Sequence, residues 1–274
     1  MLEKFNYINH IGETLEFGKD CLFVNENDLR DFAWEITERN NKISGFKKGI
    51  VQKTIPVILK CSTEADGVSL KNRMFEVFEK DVLAKRHGKI VIGDYYLRCY
   101  VTGSKKSEYL IHKNYMVVSL TVQTDLPDWV KETVINQHMD SVTTDAYLDY
   151  NYDFPYDFKN GLMGGSISNP NFVASNFIMT FYGAVSNPTV FIGGHMYSVA
   201  VTIGNGEYLT IDSVNKTIVL TKQNGEQVNC FNERNKDSYI FEKIPSGVSE
   251  VTSAHGQIQF DVALLEERSE PKWT

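Results

Sequence analysis

The sequence predicts a mainly β protein: a β-rich N-terminal domain carrying one helix, followed by an antiparallel β-sandwich. Period-two alternation of apolar and polar residues recurs in short segments along the 274 residues, while one stretch keeps helical spacing. Gly, Asn, Asp and Pro punctuate these segments, most densely after residue 165. The length suits two domains, expected at 1–130 and 166–274 and joined by a weakly patterned connector over 131–165.

In the first domain "TIPVILKC" puts Ile55, Val57 and Leu59 on one face of a strand. Pro56 cannot donate to a ladder, which predicts an edge or bulged strand. "DGVSLKNRMFEVFEKDVLAKRHG" then changes period. Leu70, Met74, Val77, Phe78 and Val82 recur at helical spacing, with Ser69 expected to cap the start and Gly88 to end it. "KIVIGDYYLRCYV" reads as a hairpin turned by Gly93-Asp94 in a type II′ loop. "YMVVSLTVQT" supplies a further strand, and "DLPDWVKETVINQHM" is expected to form a short helix after Pro127. The connector contains "DYNYDFPYDFKNG", where aromatic residues alternate with acidic ones.

Beyond it "NFIMTFYG", "TVFIGG", "MYSVAVTI", "EYLTID", "TIVLT", "SYIFEKI" and "GQIQFDVALLEE" all read as strands. The clearest pair is "GEYLTIDSVNKTIVLTKQNG". Leu209 and Ile211 alternate with Tyr208 and Thr210, Asp212-Ser213-Val214-Asn215 turns the chain, and Ile218 and Leu220 continue the pattern to Asn224-Gly225. Many short strands with regular turn signals predict a sandwich or barrel.

Composition narrows the function classes. Hydrophobic residues make up 42% and charged residues 23%, the balance of a globular chain. A net charge of −7 and only short basic clusters argue against a nucleic-acid sheath. No apolar run approaches the roughly 20 residues that span a bilayer, and residues 1–10 lack the succession of a signal peptide. The expectation is therefore synthesis in a cytoplasm with no membrane insertion. Cys21, Cys61, Cys99 and Cys230 form no C-x-x-C pair and are expected as free thiols.

Six histidines are scattered outside any metal-ligand spacing, and no phosphate loop or nucleophile elbow is present. No cofactor, metal or catalytic residue is expected. Two other classes compete with a structural reading. Asp149, Asp153 and Asp157 lie among Tyr150, Tyr152, Phe154, Tyr156 and Phe158, and a hydrolase could draw on the Asp153/Asp157 region. A carbohydrate-binding or adhesion module could stack sugars on Tyr182, Tyr197, Tyr208 or Tyr239. Against it, Trp34, Trp129 and Trp273 all lie outside the sandwich, and no H-x-N-x-R arrangement occurs.

"YDFPYDF", "FYGAVSNPTVFIGGHMY", "GEYLTIDSVNKTIVLTKQNGEQVN", "YIFEKIPSG" and "RSEPKW" follow one another in fixed order. This succession resembles the distal tail protein (Dit) family of long-tailed (siphovirus) bacteriophages of Gram-positive bacteria. The resemblance implies an N-terminal domain that assembles into a hexameric ring, and a galectin-like C-terminal β-sandwich. It further implies a baseplate role at the virion tail tip, after synthesis in the bacterial host cytoplasm. The implied partners are the tail tube protein, the tail hub or tail-associated lysin and, in many phages, receptor-binding proteins. An acidic ring would suit a channel that DNA crosses without sticking.

The matching motif residues are Tyr152, Pro155, Tyr156, Asp157, Gly183, Pro188, Tyr197, Asp212, Lys216, Gly225, Pro245, Gly247, Arg268, Pro271 and Trp273. All receive structural jobs. The glycines relieve turns, Asn187-Pro188 and Pro245-Ser246-Gly247 mark corners, and Asp212 caps its own turn. The aromatics of 152–158 and the "RSEPKW" tail are expected to fasten together the two ends of the second domain. Some family members insert a sugar-binding module in that domain, and the strands here leave no room for one.

Overall fold

The structure, a computed structural model, describes residues 3–24, 26–110, 112–139, 165–254 and 258–273. The chain divides into two compact units, Met1–Lys131 with Glu267–Thr274, and Glu132–Glu266.

The first unit opens with β1 (Phe5–Ile8), β2 (Thr14–Phe17) and β3 (Leu22–Val24). An arm follows, β4 (Glu35–Arg39) and β5 (Lys42–Lys47), then β6 (Val51–Lys60), α1 (Glu64–Ala84), β7 (Gly88–Ile92), β8 (Tyr95–Ser107), β9 (Tyr115–Thr124) and the start of β10 (Trp129–Met139). All pairings are antiparallel. β2, β1, β7 and β8 form one run, and β8, β9, β6 and β3 another. The long β8 serves both, changing register between Val101 and Gly103. Alternation decides which faces are inward: β9 buries Met116, Val118, Leu120, Val122 and Thr124, every second residue.

Pro56 sits inside β6, opposite Ser119 of β9. Its ring nitrogen faces the other edge, where pairing with β3 stops at Val57, so no ladder donor is missed. Two residues back, Thr54 N donates instead to Asp28 Oδ1 at 2.6 Å.

Helix α1 covers the sheet through buried Met74, Val77 and Phe78, with Tyr7 edge-on to Phe78 at 4.9 Å. Its ends differ from expectation. Thr63, not Ser69, caps the start, its hydroxyl accepting from Asp66 N at 3.1 Å and donating to Asp66 Oδ2 at 2.6 Å. Lys85 in the left-handed region (φ 54°) ends it. Gly88 opens β7, where a Cβ would run into the Asp81 carboxylate and the Tyr7 ring.

The short helix expected after Pro127 is a strand, β10. Thr133, Val134 and Ile135 are β-branched and favour extension, and Val130 pairs with Tyr96 of β8.

The second unit takes the rest of β10 and adds β11 (Gly165–Asn169), β12 (Asn176–Tyr182), β13 (Val185–Ser186), β14 (Thr189–Ile192), β15 (His195–Ser198), β16 (Thr202–Ile203), β17 (Tyr208–Asp212), β18 (Thr217–Thr221), β19 (Gln227–Asn229), β20 (Gly247–Ser253) and β21 (Ile258–Arg268). β19, β18, β17, β12 and β21 are successive neighbours in one antiparallel sheet, and β11, β20, β14 and β15 form another. Their inner faces share one core: Phe177, Met179 and Phe181 from β12, Phe260 and Val262 from β21, and Val190, Tyr197 and Val251 from the second sheet. Phe177 meets Tyr197 edge-on at 5.3 Å across that core, the interdigitation of a sandwich.

Two expected strands differ. "MYSVAVTI" breaks after Ser198, because Ala200 N turns to donate to Glu233 O. "SYIFEKI" is a turn. Ile240 and Phe241 are adjacent and both buried, which alternation in a strand seldom allows. Only Ile244 bridges, exchanging backbone hydrogen bonds with Ser175.

Candidate assembly surface

Of the sequence-predicted motif residues, Tyr152, Pro155, Tyr156 and Asp157 lie outside the described residues, as do Asp149 and Asp153. The remainder occupy separate turns, core positions and the closing tail. Gly183 packs so closely that a Cβ would overlap the carbonyl of Gly204. Pro188 follows Asn187 (φ 52°), and its carbonyl accepts from Val199 N at 3.2 Å. Asp212 Oδ1 accepts from Val214 N and Asn215 N at 2.8 and 2.9 Å, the capping expected of it. Lys216 closes the same turn with φ 55° and lays its ammonium 5.2 Å from the Phe241 ring. Gly225 adopts φ 84° and Gly247 φ 89°, and the carbonyl of Pro245 accepts from Asn169 Nδ2.

Tyr197 is fully buried and donates to Glu242 O at 2.9 Å. Burial pushes its hydroxyl pKa up, and no face remains for a sugar. Tyr182 is tied to Asp261 Oδ2 at 2.8 Å. The closing tail serves a different unit from the one expected. Arg268 ends β21, and beyond it Pro271 O accepts from Arg30 Nη1 at 3.0 Å. The Arg30 guanidinium stacks 4.0 Å over the Trp273 ring. Arg30 and these tail residues all belong to the first unit.

One cluster has catalytic residue types. Asp81 accepts from Tyr7 OH at 2.5 Å and His10 N at 2.8 Å, and meets His10 Nδ1 at 2.5 Å. Asp81 is fully buried, and burial, the Cys99 thiol and Asp81 together push the Tyr7 phenol up. Asp81 and Tyr7 are closed off from solvent while the His10 ring is partly exposed, and the cluster fastens α1 to β1 and the turn that follows it. Among the described residues no group of three or more His, Cys, Asp or Glu could hold a metal. No described helix is long and apolar enough to cross a membrane.

The surface that stands out is the β4–β5 arm, to which the sequence reading assigned no role. Asn40 and Asn41, with φ of 52° and 57°, turn it as a two-residue loop. Almost every residue of both strands is exposed. Trp34, Ile36, Ile43 and Phe46 expose 48%, 54%, 58% and 62% of their surface, far more than folding alone would leave on neighbouring side chains. The β-branched Ile36, Thr37 and Ile43 and the Asn40-Asn41 turn in "EITERNNKISGFK" were the available signals.

The root of the arm is held by polar contacts. Lys48 donates to Asp128 Oδ1 at 2.5 Å and Ser269 Oγ at 2.8 Å, and its ammonium lies 4.3 Å from the Trp34 ring. Beside it, buried Lys53 donates to the carbonyls of Asp28 and Asp31 at 2.8 and 2.6 Å. Burial pulls its ammonium pKa down, against the pull of Asp28 and Asp31. An open cleft of about 240 Å³ lies here, lined by Asp28, Asp31, Phe32, Lys48, Lys53 and Pro127.

Two β-rich units, one of them carrying an exposed apolar arm, are the features of the described residues that call for comparison. Solved structures share this fold. The chain is similar to SPP1 Dit (gp 19.1), described as a paradigm of the hub adsorption apparatus in phages infecting Gram-positive bacteria, with TM-score 0.60 and 11% identity. That alignment covers 96% of this chain and 99% of the other. It is similar also to a chain of the phage P2 baseplate in its activated conformation with Ca, with TM-score 0.63, 12% identity and coverage of 99% and 100%. A chain of the corresponding baseplate with Sr gives TM-score 0.63 and 12% identity over 98% and 99%. No family model matches the sequence, and no curated protein does. The fold is that of phage Dit and baseplate proteins, over nearly the whole chain.

Proposed function

We propose that the chain is a structural, non-enzymatic protein of the phage tail tip. Six copies form a ring that joins the tail tube to the hub or tail-associated lysin and carries receptor-binding proteins. The observation that carries this reading is a fold shared from end to end with phage Dit and baseplate chains, both units included. The exposed arm supplies a physical route to assembly. A strand pair that leaves Ile36, Ile43 and Phe46 in water gains free energy by laying them against the next copy, at about 25 cal/mol per Å² of apolar surface buried.

The test is the solution mass of the purified chain by light scattering at several concentrations, with negative-stain images of the same sample. A ring of six with an open centre supports the reading. A monomer at every concentration, unchanged by added tail tube or hub protein, would overturn it.

A further inference from the structure

We propose that Asn205 is a self-modification site: the folded chain deamidates there, with water as the co-reactant and ammonia as the leaving group. The site does not depend on the tail-tip reading. Two turns of the second unit carry the same tripeptide, Asn205-Gly206-Glu207 and Asn224-Gly225-Glu226, and both Asn-Gly pairs are exposed. A third pair, Asn160-Gly161, lies outside the described residues. Gly206 and Gly225 both take left-handed backbone, with φ of 75° and 84°. Local sequence, exposure and backbone region are thus matched, and hydrogen bonding separates the two turns. In the second, Gly225 N donates to Lys222 O at 2.9 Å and Asn224 Oδ1 accepts from Glu226 N at 2.9 Å, an Asx-turn that ties up both groups that would react. In the first, Glu207 N donates to Gly204 O at 3.2 Å and Glu207 Oε2 accepts from Gly204 N at 2.8 Å. Those bonds close the turn at its ends and leave its middle untied. Neither the Asn205 side chain nor Gly206 N has a hydrogen-bond partner among the described residues.

Gly206 N, with no Cβ beside it to block the approach, gives its proton to hydroxide and attacks Asn205 Cγ. The new N–Cγ bond closes a cyclic imide as the Cγ–Nδ2 bond breaks, and the side-chain nitrogen takes a proton from water and leaves as ammonia. Water then adds to either imide carbonyl. Opening at Cγ gives aspartate. Opening at the main-chain carbonyl gives isoaspartate, whose backbone runs through the former side chain. The balance is one asparagine and one water giving one acid and one ammonia, with nothing oxidised or reduced.

Isoaspartate lengthens the backbone inside the turn that Glu207 N closes onto Gly204 O. The same Gly204 carbonyl lies so close to Gly183 that no Cβ fits between them, and Gly183 N donates to Glu207 O at 3.1 Å. The longer turn therefore disturbs the place where the end of β12 meets the start of β17. Either product also sets a new carboxylate two residues from that of Glu207.

The experiment holds the full chain in warm, mildly alkaline buffer, in one series folded and in another unfolded by guanidinium chloride. Samples taken over days are digested, and peptide mass spectrometry follows the amide-to-acid conversion at Asn205 and at Asn224. In denaturant, where only the shared tripeptide matters, the two should convert at similar rates. In the folded chain Asn205 should convert several-fold faster than Asn224, with isoaspartate and aspartate both appearing at position 205. Asn224 converting as fast as Asn205 in the folded chain would overturn the proposal. So would an Asn205 that stays intact in the folded chain while it converts in denaturant, since the turn would then protect it.

Discussion

At the scale of single residues, the first unit depends on a carboxyl group with no access to water. Asp81 serves Tyr7, the His10 backbone and the His10 ring from a fully buried position. Removing it strands all three groups, and an unsatisfied buried polar group costs more than its hydrogen bond was worth. Asp81→Ala should destabilise the first unit by about 3 kcal/mol in urea titrations. A variant within 1 kcal/mol of wild type, at about the error expected of a surface site, would mean that water replaces the carboxylate. Buried acids also set the alkaline limit. Tyr7, Tyr197, Cys99 and Cys61 all have pKa values raised mainly by burial above the ordinary 10.0 of a phenol and 9.0 of a thiol. Such groups contribute full stability below the unfolded values and lose it as pH rises through them, because only the unfolded chain ionises easily. Lys53 acts oppositely, its lowered pKa favouring the folded state as pH climbs toward 10.5. With Tyr182 and Cys230 raised by burial as well, and Lys53 alone acting oppositely among them, urea midpoints should fall steadily above about pH 9. A flat profile from there to pH 11 would contradict the burial of these groups.

Secondary-structure elements tell apart what the chain encodes locally and what tertiary contact decides. The β17–β18 hairpin was legible to the residue, since Leu209, Ile211, Ile218 and Leu220 alternate inward and Asp212 turns the chain. The body of α1 was legible too, through Met74, Val77 and Phe78. Its start was not. The helix is capped at Thr63, ahead of the expected Ser69, and it tolerates Gly67 inside it because a Cβ there would strike the backbone of Lys113 and Asn114. The β10 strand resembled a helix start until pairing with β8 decided it. The arm was missed for a different reason. Its apolar residues face solvent, so no buried face disciplines the pattern that sequence reading relies on. Most of the described motif residues taken from resemblance fell on turns and core, while the candidate surface lies where that resemblance named no residue. If the arm serves assembly, Ile43→Glu with Phe46→Glu should leave the monomer's Tm nearly unchanged, as exposed substitutions do. The same pair should abolish the oligomer in light scattering. Loss of the fold, or an oligomer of unchanged mass, would remove the arm from the interface.

Across the whole molecule, the chain leaves the first unit within β10 and comes back to it after Glu266. The first unit is therefore completed only by the returning segment Glu267–Thr274. Ser269 accepts from Lys48, Pro271 accepts from Arg30, and Trp273 covers the Arg30 guanidinium. A chain ending at Glu266 should keep the second core, which uses none of residues 267–274, and weaken the first. A cation–π contact on an exposed ring and two lost hydrogen bonds to charged groups together amount to about 2–4 kcal/mol. The tryptophans give a selective readout, because Trp34, Trp129 and Trp273 all belong to the first unit. Trp129, fully buried with Nε1 donating to Leu29 O, survives the truncation as its reporter. In urea, the fluorescence transition of the truncated chain should move to lower denaturant. Far-UV circular dichroism, which sees both units, should split into an early phase matching the fluorescence and a later phase unmoved from wild type. Coincident transitions shifted together would instead make the two units one cooperative body, with the returning tail acting on both.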